Sequence, residues 1–192
     1  MKVRRFVSSV AGALALAALC LSFPQLPAVH AQTHSALHDV GQPGALIRVV
    51  REVTERFRDV SVAEKAGYQL MFGCVSGGEY GAMGLHYVNP SLVFDGGVLD
   101  PRQPEIVIYE PLPNGGRRLT GADYLVPAGD WHAKNEAPPE LMGQLLHLFE
   151  SPNRFGLPTF YTLHVWAWKD NPTGTFSNWH ANVKCDAFGG GN

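Results

Sequence analysis

The stretch "TFYTLHVWAW", residues 159–168, decides how the chain is read. Its β-branched and aromatic residues have no 3.6-residue stripe, so it reads as a strand in which successive side chains point to opposite faces. Tyr161, Leu163, Val165 and Ala167 share one face and Thr162, His164, Trp166 and Trp168 the other. The first set suits a core packed against helices. The second is too aromatic for ordinary solvent-facing surface and too polar for pure core. It reads as the wall of a cavity or groove, with His164 set among indoles.

Working outward, three more segments read as strands: 83–88 (MGLHYV), 105–110 (EIVIYE) and 119–126 (LTGADYLV). Glycine- and proline-bearing joints separate them, and Asn114-Gly115-Gly116 predicts a hairpin turn between the second and third. Upstream, Leu46, Val49, Val50, Val53 and Phe57 follow helical spacing and predict an amphipathic helix over 45–58, whose charged residues form a solvated face. In "SVAEKAGY", Ser61 with Glu64 reads as a capping box and Gly67 as a stop, giving a short second helix that ends beside Cys74. Between 130 and 158 the pattern is irregular, with room for one short helix around Pro139–Leu148. The expected fold is α+β, a single domain over 45–185 with N-terminal helices packed on an antiparallel sheet. A loose leader (32–44) precedes it and a flexible, glycine-rich tail (186–192) follows.

The first 31 residues are expected to be a secretory signal. Lys2, Arg4 and Arg5 precede an apolar run from Val10 to Phe23, and "AVHA" ends in a small-x-small pattern at Val29 and Ala31. The run is shorter than the roughly 20 residues a membrane span needs, and no later stretch reaches that length. Leu19 before Cys20 argues against a lipid-anchored start. Removing 1–31 takes three of the 15 basic residues and none of the 17 acidic ones, leaving a formal charge of −5. Neither a basic run nor an Arg-aromatic pattern is left, so nucleic-acid binding has little support. The expected location is periplasmic or extracellular. There the two remaining cysteines, Cys74 and Cys185, are expected to pair.

His86, in "GAMGLHYVNP" (81–90), shares parity with Gly84 and Val88. Glu110 ends the most apolar stretch of the mature chain, and a buried carboxylate is costly unless it meets a cation, a metal or donors. If their faces converge, His86, Glu110 and His164 make a two-histidine, one-carboxylate set suited to catalytic zinc or non-haem iron. The same residues suit a metal-free arrangement in which Glu110 orients a histidine acting as general base, and unrelated histidines with local hydrogen bonds are the plain alternative. His132 and His147 are placed at the surface, and His180 is held near the sheet if the disulfide forms. His34 and His38 lie near the mature N-terminus, where a copper site would need a histidine at its first position, not Gln32. Asp123 and Tyr124 have opposite parity and are not expected to share a cavity. No nucleophile elbow, phosphate loop, dinucleotide fingerprint, C-x-x-C or short histidine metal signature occurs.

At "GAMGLHYVNP", "IYEPLPNGGRRLTGADYLVP" (108–127) and "FGLPTFYTLHVWAWKDNPTGTF" (155–176), the chain resembles a group of uncharacterised secreted bacterial proteins. The likeness spans 45–185 and implies a real single-domain family, but no activity or cofactor. Three functions are therefore carried forward. One is a small-molecule enzyme using His86, Glu110 and His164 as metal ligands or as base and orienter. Another is a binding protein for a metabolite, sugar or haem, with Tyr87, Tyr161, Trp166 and Trp168 as an aromatic floor. The third is an interaction module whose Trp-rich face meets another protein.

Overall fold

In a computed structural model, residues 43–189 are described; the expected signal peptide and nearly all of the leader lie outside them. The chain opens with helix α1 (Pro43–Thr54), continued by a 3-10 turn over Glu55–Arg58, then α2 (Val60–Lys65). Leu46, Val50 and Thr54 recur at four-residue spacing on one buried face. The cap of α2 is Asp59, which accepts from the Ser61 N–H at 2.9 Å, rather than the expected Ser61–Glu64 box. Gly67, at φ 95°, ends that turn as expected.

A six-stranded, wholly antiparallel sheet follows. Its members are β1 (Gln69–Ser76), β2 (Ala82–Val88), β3 (Ile106–Pro111), β4 (Arg117–Pro127), β7 (His147–Phe149) and β8 (Phe160–Val165). They are ordered β1-β2-β3-β4-β8-β7. A one-turn helix α3 (Pro90–Val93) follows β2, and α4 (Ala128–His132) follows β4. The β3–β4 hairpin turns at Asn114–Gly116, as the sequence predicts, closed by Gly115 N–H to the Leu112 carbonyl at 2.9 Å. The mixed α+β class therefore stands. Two local expectations do not. Gln69–Ser76 forms an edge strand that the sequence reading leaves unassigned. Where a helix was expected around Pro139–Leu148, the chain makes a small hairpin of β5 (Glu140–Leu141) and β6 (Gln144–Leu145) and then β7. Its turn is Met142-Gly143, both at positive φ (49° and 82°), a tight reversal that a helix cannot contain.

Strand parity divides the sheet into two faces. Tyr87, Val107, Tyr109, Tyr124, Leu163 and Val165 belong to the buried clusters that also hold Leu46, Val50 and Phe57 of the helical segment. Two of their phenols are satisfied by backbone: Tyr109 donates to the Phe57 carbonyl and Tyr124 to that of Pro101, both at 2.7 Å. The other face holds Val88, Ile106, Ile108, Leu125 and Phe160. It is the concave face, because the sheet curls strongly. Bulges in β1 and between β3 and β4 contribute to the curl. Gly121, beside the second of these, lets β8 approach so closely that a Cβ there would lie 2.0 Å from the Val165 carbonyl oxygen.

Cys74 and Cys185 are disulfide-bonded, closing a sequence separation of 111. On the chain-entropy account, a loop of that length stabilises the fold by about 4–5 kcal/mol. Beside this bridge Phe188 packs on the core cluster containing both cysteines. No helix among the described residues is long and apolar enough to cross a membrane.

Candidate metal site

Across the sheet, ladder pairing sets Val88, Ile106, Asp123 and His164 in one row, and His86, Ile108 and Gly121 in the next. His86 on β2 and His164 on β8 are three strand spacings apart, which would separate them by about 14 Å in a flat sheet. Their ring centroids are 5.9 Å apart, edge to face. The curl accounts for the difference: it folds the concave face over until the two imidazoles meet. Asp123, directly opposite His164 in register, completes the group. One ligand-type atom from each of His86, Asp123 and His164 lies within 4.8 Å of the others, and the residues are only 4%, 5% and 1% exposed.

Each member is held by a specific neighbour. The Nδ1 of His86 meets the Gly84 carbonyl at 3.2 Å, so Nδ1–H donates and Nε2 keeps its lone pair. Gly84 itself is at φ 96°, and a Cβ there would sit 2.4 Å from the Tyr109 carbonyl oxygen, so only glycine permits this strand contact. Thr162 donates to Asp123 Oδ1 at 2.5 Å. The second carboxylate oxygen, Oδ2, lies 3.7 Å from His164 Nδ1, beyond hydrogen-bonding distance. His164 stacks on Trp166 at 4.7 Å, and its buried Nε2 has no hydrogen-bond partner.

Burial sets the electrostatics. It lowers the His86 pKa to about 4, against the pull of the Gly84 carbonyl. It holds His164 well below the usual imidazole range, helped by the neighbouring His86 and His180. It raises Asp123 to about 7, opposed by Thr162 and by backbone N–H groups. Two neutral imidazoles, one of them with an unpartnered Nε2, and a buried carboxyl make a donor set that a cation would complete.

The expected carboxylate, Glu110, is not in this group. Its oxygens are taken by Arg118 Nε and, at 2.6 Å, by Lys169 Nζ, which satisfies its buried charge without a metal. The expected aromatic floor also dissolves. Tyr87 and Tyr161 lie on the opposite face, in the two helix-side clusters. Tyr161 hydroxyl pairs with His132 Nε2 at 2.9 Å. Trp166 is buried as a backing plate for His164, its indole N–H donating to the Ser177 carbonyl at 2.6 Å. Trp168 departs because β8 ends at Val165 and the chain turns there. It donates to Thr54 Oγ1 at 2.9 Å and lies 4.2 Å under the Arg58 guanidinium, clamping the helical segment. Arg51, expected on the solvated face, donates to the Ala167 carbonyl at 2.5 Å.

His180 is closer to the site than its sequence position suggests. It is fully buried, pairs across to Ala82, and meets Trp166 edge-on at 4.7 Å. Its Nδ1 accepts from the Asn182 N–H at 3.0 Å, leaving Nε2 without a partner. The residue the sequence reading missed is Asp123. Its parity was legible; its place opposite His164 depends on strand register.

The three site residues border a cavity with Thr162 and Asn178 as its other polar members and otherwise apolar walls, among them Phe72, Ile106, Leu125, Phe155 and Leu157, with an empty volume of ≈ 370 Å³ counting the part open to solvent. The chain matches no protein-family model, no curated protein and no solved structure.

Proposed function

We propose that this exported protein binds one transition-metal ion, zinc or iron, through His86, Asp123 and His164, and uses it on a small molecule admitted through the adjoining cavity. The observation that carries the reading is the convergence, on one buried spot, of three ligand-type atoms from three strands, beside an imidazole nitrogen with no partner. Two histidines and one carboxylate leave coordination positions open, which is the composition of catalytic rather than closed structural centres. Bound there, the ion would supply Lewis acidity toward an oxygen of substrate or water. The chain's own residues do the rest: Gly84 fixes the His86 tautomer, Thr162 orients Asp123, and Trp166 supports the His164 ring.

Elemental analysis of untagged protein tests this directly. The expected result is about one equivalent of zinc or iron in the parent. The metal should be lost from folded His86→Ala/His164→Ala and Asp123→Asn variants. A parent that takes up no metal after reconstitution sinks the proposal. It would favour a second reading, in which Asp123 orients His164 as a metal-free base, supported by their direct pairing in register across β4 and β8.

A further inference from the structure

A second cavity adjoins the first, and its lining is entirely apolar. Phe72, Ile106, Leu125 and Leu157 line both. Beyond them the second cavity runs to Phe94, which at 73% exposure is unusually open for its type, while Met71, its other exposed member, sits beside His86 as its partner on β1. Together the two describe a trough along the concave face, with an exposed apolar rim at one end and the His86–Asp123–His164 group at the other. No lysine, arginine or glutamate lines either part; the polar lining is confined to the inner end, at the three site residues, Thr162 and Asn178. A divalent ion held by two neutral imidazoles and one carboxylate would leave one net positive charge at that end.

We infer that the trough takes an amphiphile: a linear apolar chain lying along Phe72, Ile106, Leu125 and Leu157, with an anionic oxygen head group at the ion held by His86, Asp123 and His164. The inference rests on the metal reading above and adds the ligand's chemical class. Apolar walls match a chain that carries no polar groups of its own. The charge of the loaded inner end matches a carboxylate-type head and gives the ligand its direction. The exposed rim lets longer chains enter before the trough is full.

Calorimetry with the purified, zinc-loaded protein and the series acetate, octanoate, decanoate and dodecanoate tests this. Affinity is expected to rise about threefold to fourfold per methylene buried, until the trough is filled. The gain should shrink in Leu157→Gln. It should also shrink for the longer chains in Phe94→Ser, whose exposed site does not put folding at stake. Acetate binding should stay unchanged in Phe94→Ser, whose side chain lines only the outer cavity. Stoichiometric zinc with equal affinity across the series would overturn the trough while leaving the metal site standing. Chain-length-dependent binding to a protein that takes up neither zinc nor iron would overturn the head-group assignment and, with it, the metal reading. Self-association lost in Phe94→Ser, with no carboxylate bound, would give the trough to a second copy of this chain and overturn the inference.

Discussion

At the scale of single residues, the concave face is organised by groups that hold other groups. Thr162 is the clearest case. Its hydroxyl fixes one oxygen of Asp123 and leaves the other turned toward His164. Thr162→Val keeps the shape and removes the donor, so metal affinity should fall roughly 10- to 100-fold with the fold intact. Competition against a chromophoric chelator, beside an unchanged circular dichroism spectrum, checks it. Another residue contributes to pH behaviour beside Asp123 and the histidines. Glu105 is 1% exposed, and its carboxylate accepts from the Leu125 N–H at 3.1 Å. Burial raises its pKa to about 8 from 4.5, despite that hydrogen bond. The folded state therefore holds this proton where the unfolded chain releases it. Its contribution to stability is full below about pH 4.5 and is lost as pH rises toward 8, at up to about 1.4 kcal/mol per unit. Glu105→Gln should flatten that slope. Denaturation midpoints at pH 5, 6.5 and 8 for both proteins decide the matter, and parallel slopes would refute the assignment.

At the scale of elements, glycines decide where strands can meet. Gly121 gives β8 its approach to β4, because any Cβ there would collide with the Val165 backbone. Gly121→Ala forces the two strands apart and should cost about 3 kcal/mol, at the upper end of overpacking penalties. It should weaken metal binding as well, since Asp123 and His164 face each other across that same pair. Urea unfolding and a zinc titration on one sample read both effects; loss of stability without loss of affinity would mean the curl does not set the site. The same scale explains what the sequence disclosed. The segments of β2, β3, β4 and β8 were legible because their side chains alternate and their ends carry turn residues. β1 was not, because Phe72 and Gly73 both sit at positive φ and break its period. Glu140, Leu141, Met142 and Gln144 favour helix locally, yet tertiary pairing and the Met142-Gly143 reversal place them in strands. Parity offered His86 and His164 as partners only if their faces converged, and that convergence depends on the register and curl of the sheet. Glu110 stands out in the sequence because it ends the most apolar stretch, and patterning cannot reveal that Arg118 and Lys169 already hold it or that register sets Asp123 opposite His164.

At the scale of the whole molecule, the two sheet faces divide the work. The helix-side face carries the larger buried clusters, the Tyr109 and Tyr124 phenols closed by backbone carbonyls, and the nearby disulfide. The concave face carries a buried carboxyl and, in His164 and His180, buried imidazole nitrogens with no hydrogen-bond partner. Leaving such groups unpaired costs free energy in the metal-free protein, and any species that satisfies them only in the folded state must raise its stability. If the reading of His86, Asp123 and His164 is right, free zinc at 100 times its dissociation constant should add about 2.7 kcal/mol to unfolding, and each further tenfold about 1.4. The thermal midpoint of the parent should climb with the logarithm of zinc concentration. In His86→Ala/His164→Ala it should be flat, although that variant starts lower because two buried rings are gone. Glu110→Gln supplies the control, since Glu110 is committed to Arg118 and Lys169: it should lower the starting midpoint and leave the zinc-dependent climb intact. A climb lost in Glu110→Gln would return the carboxylate role to that residue, and a climb kept in the double histidine variant would move the ion off the concave face altogether.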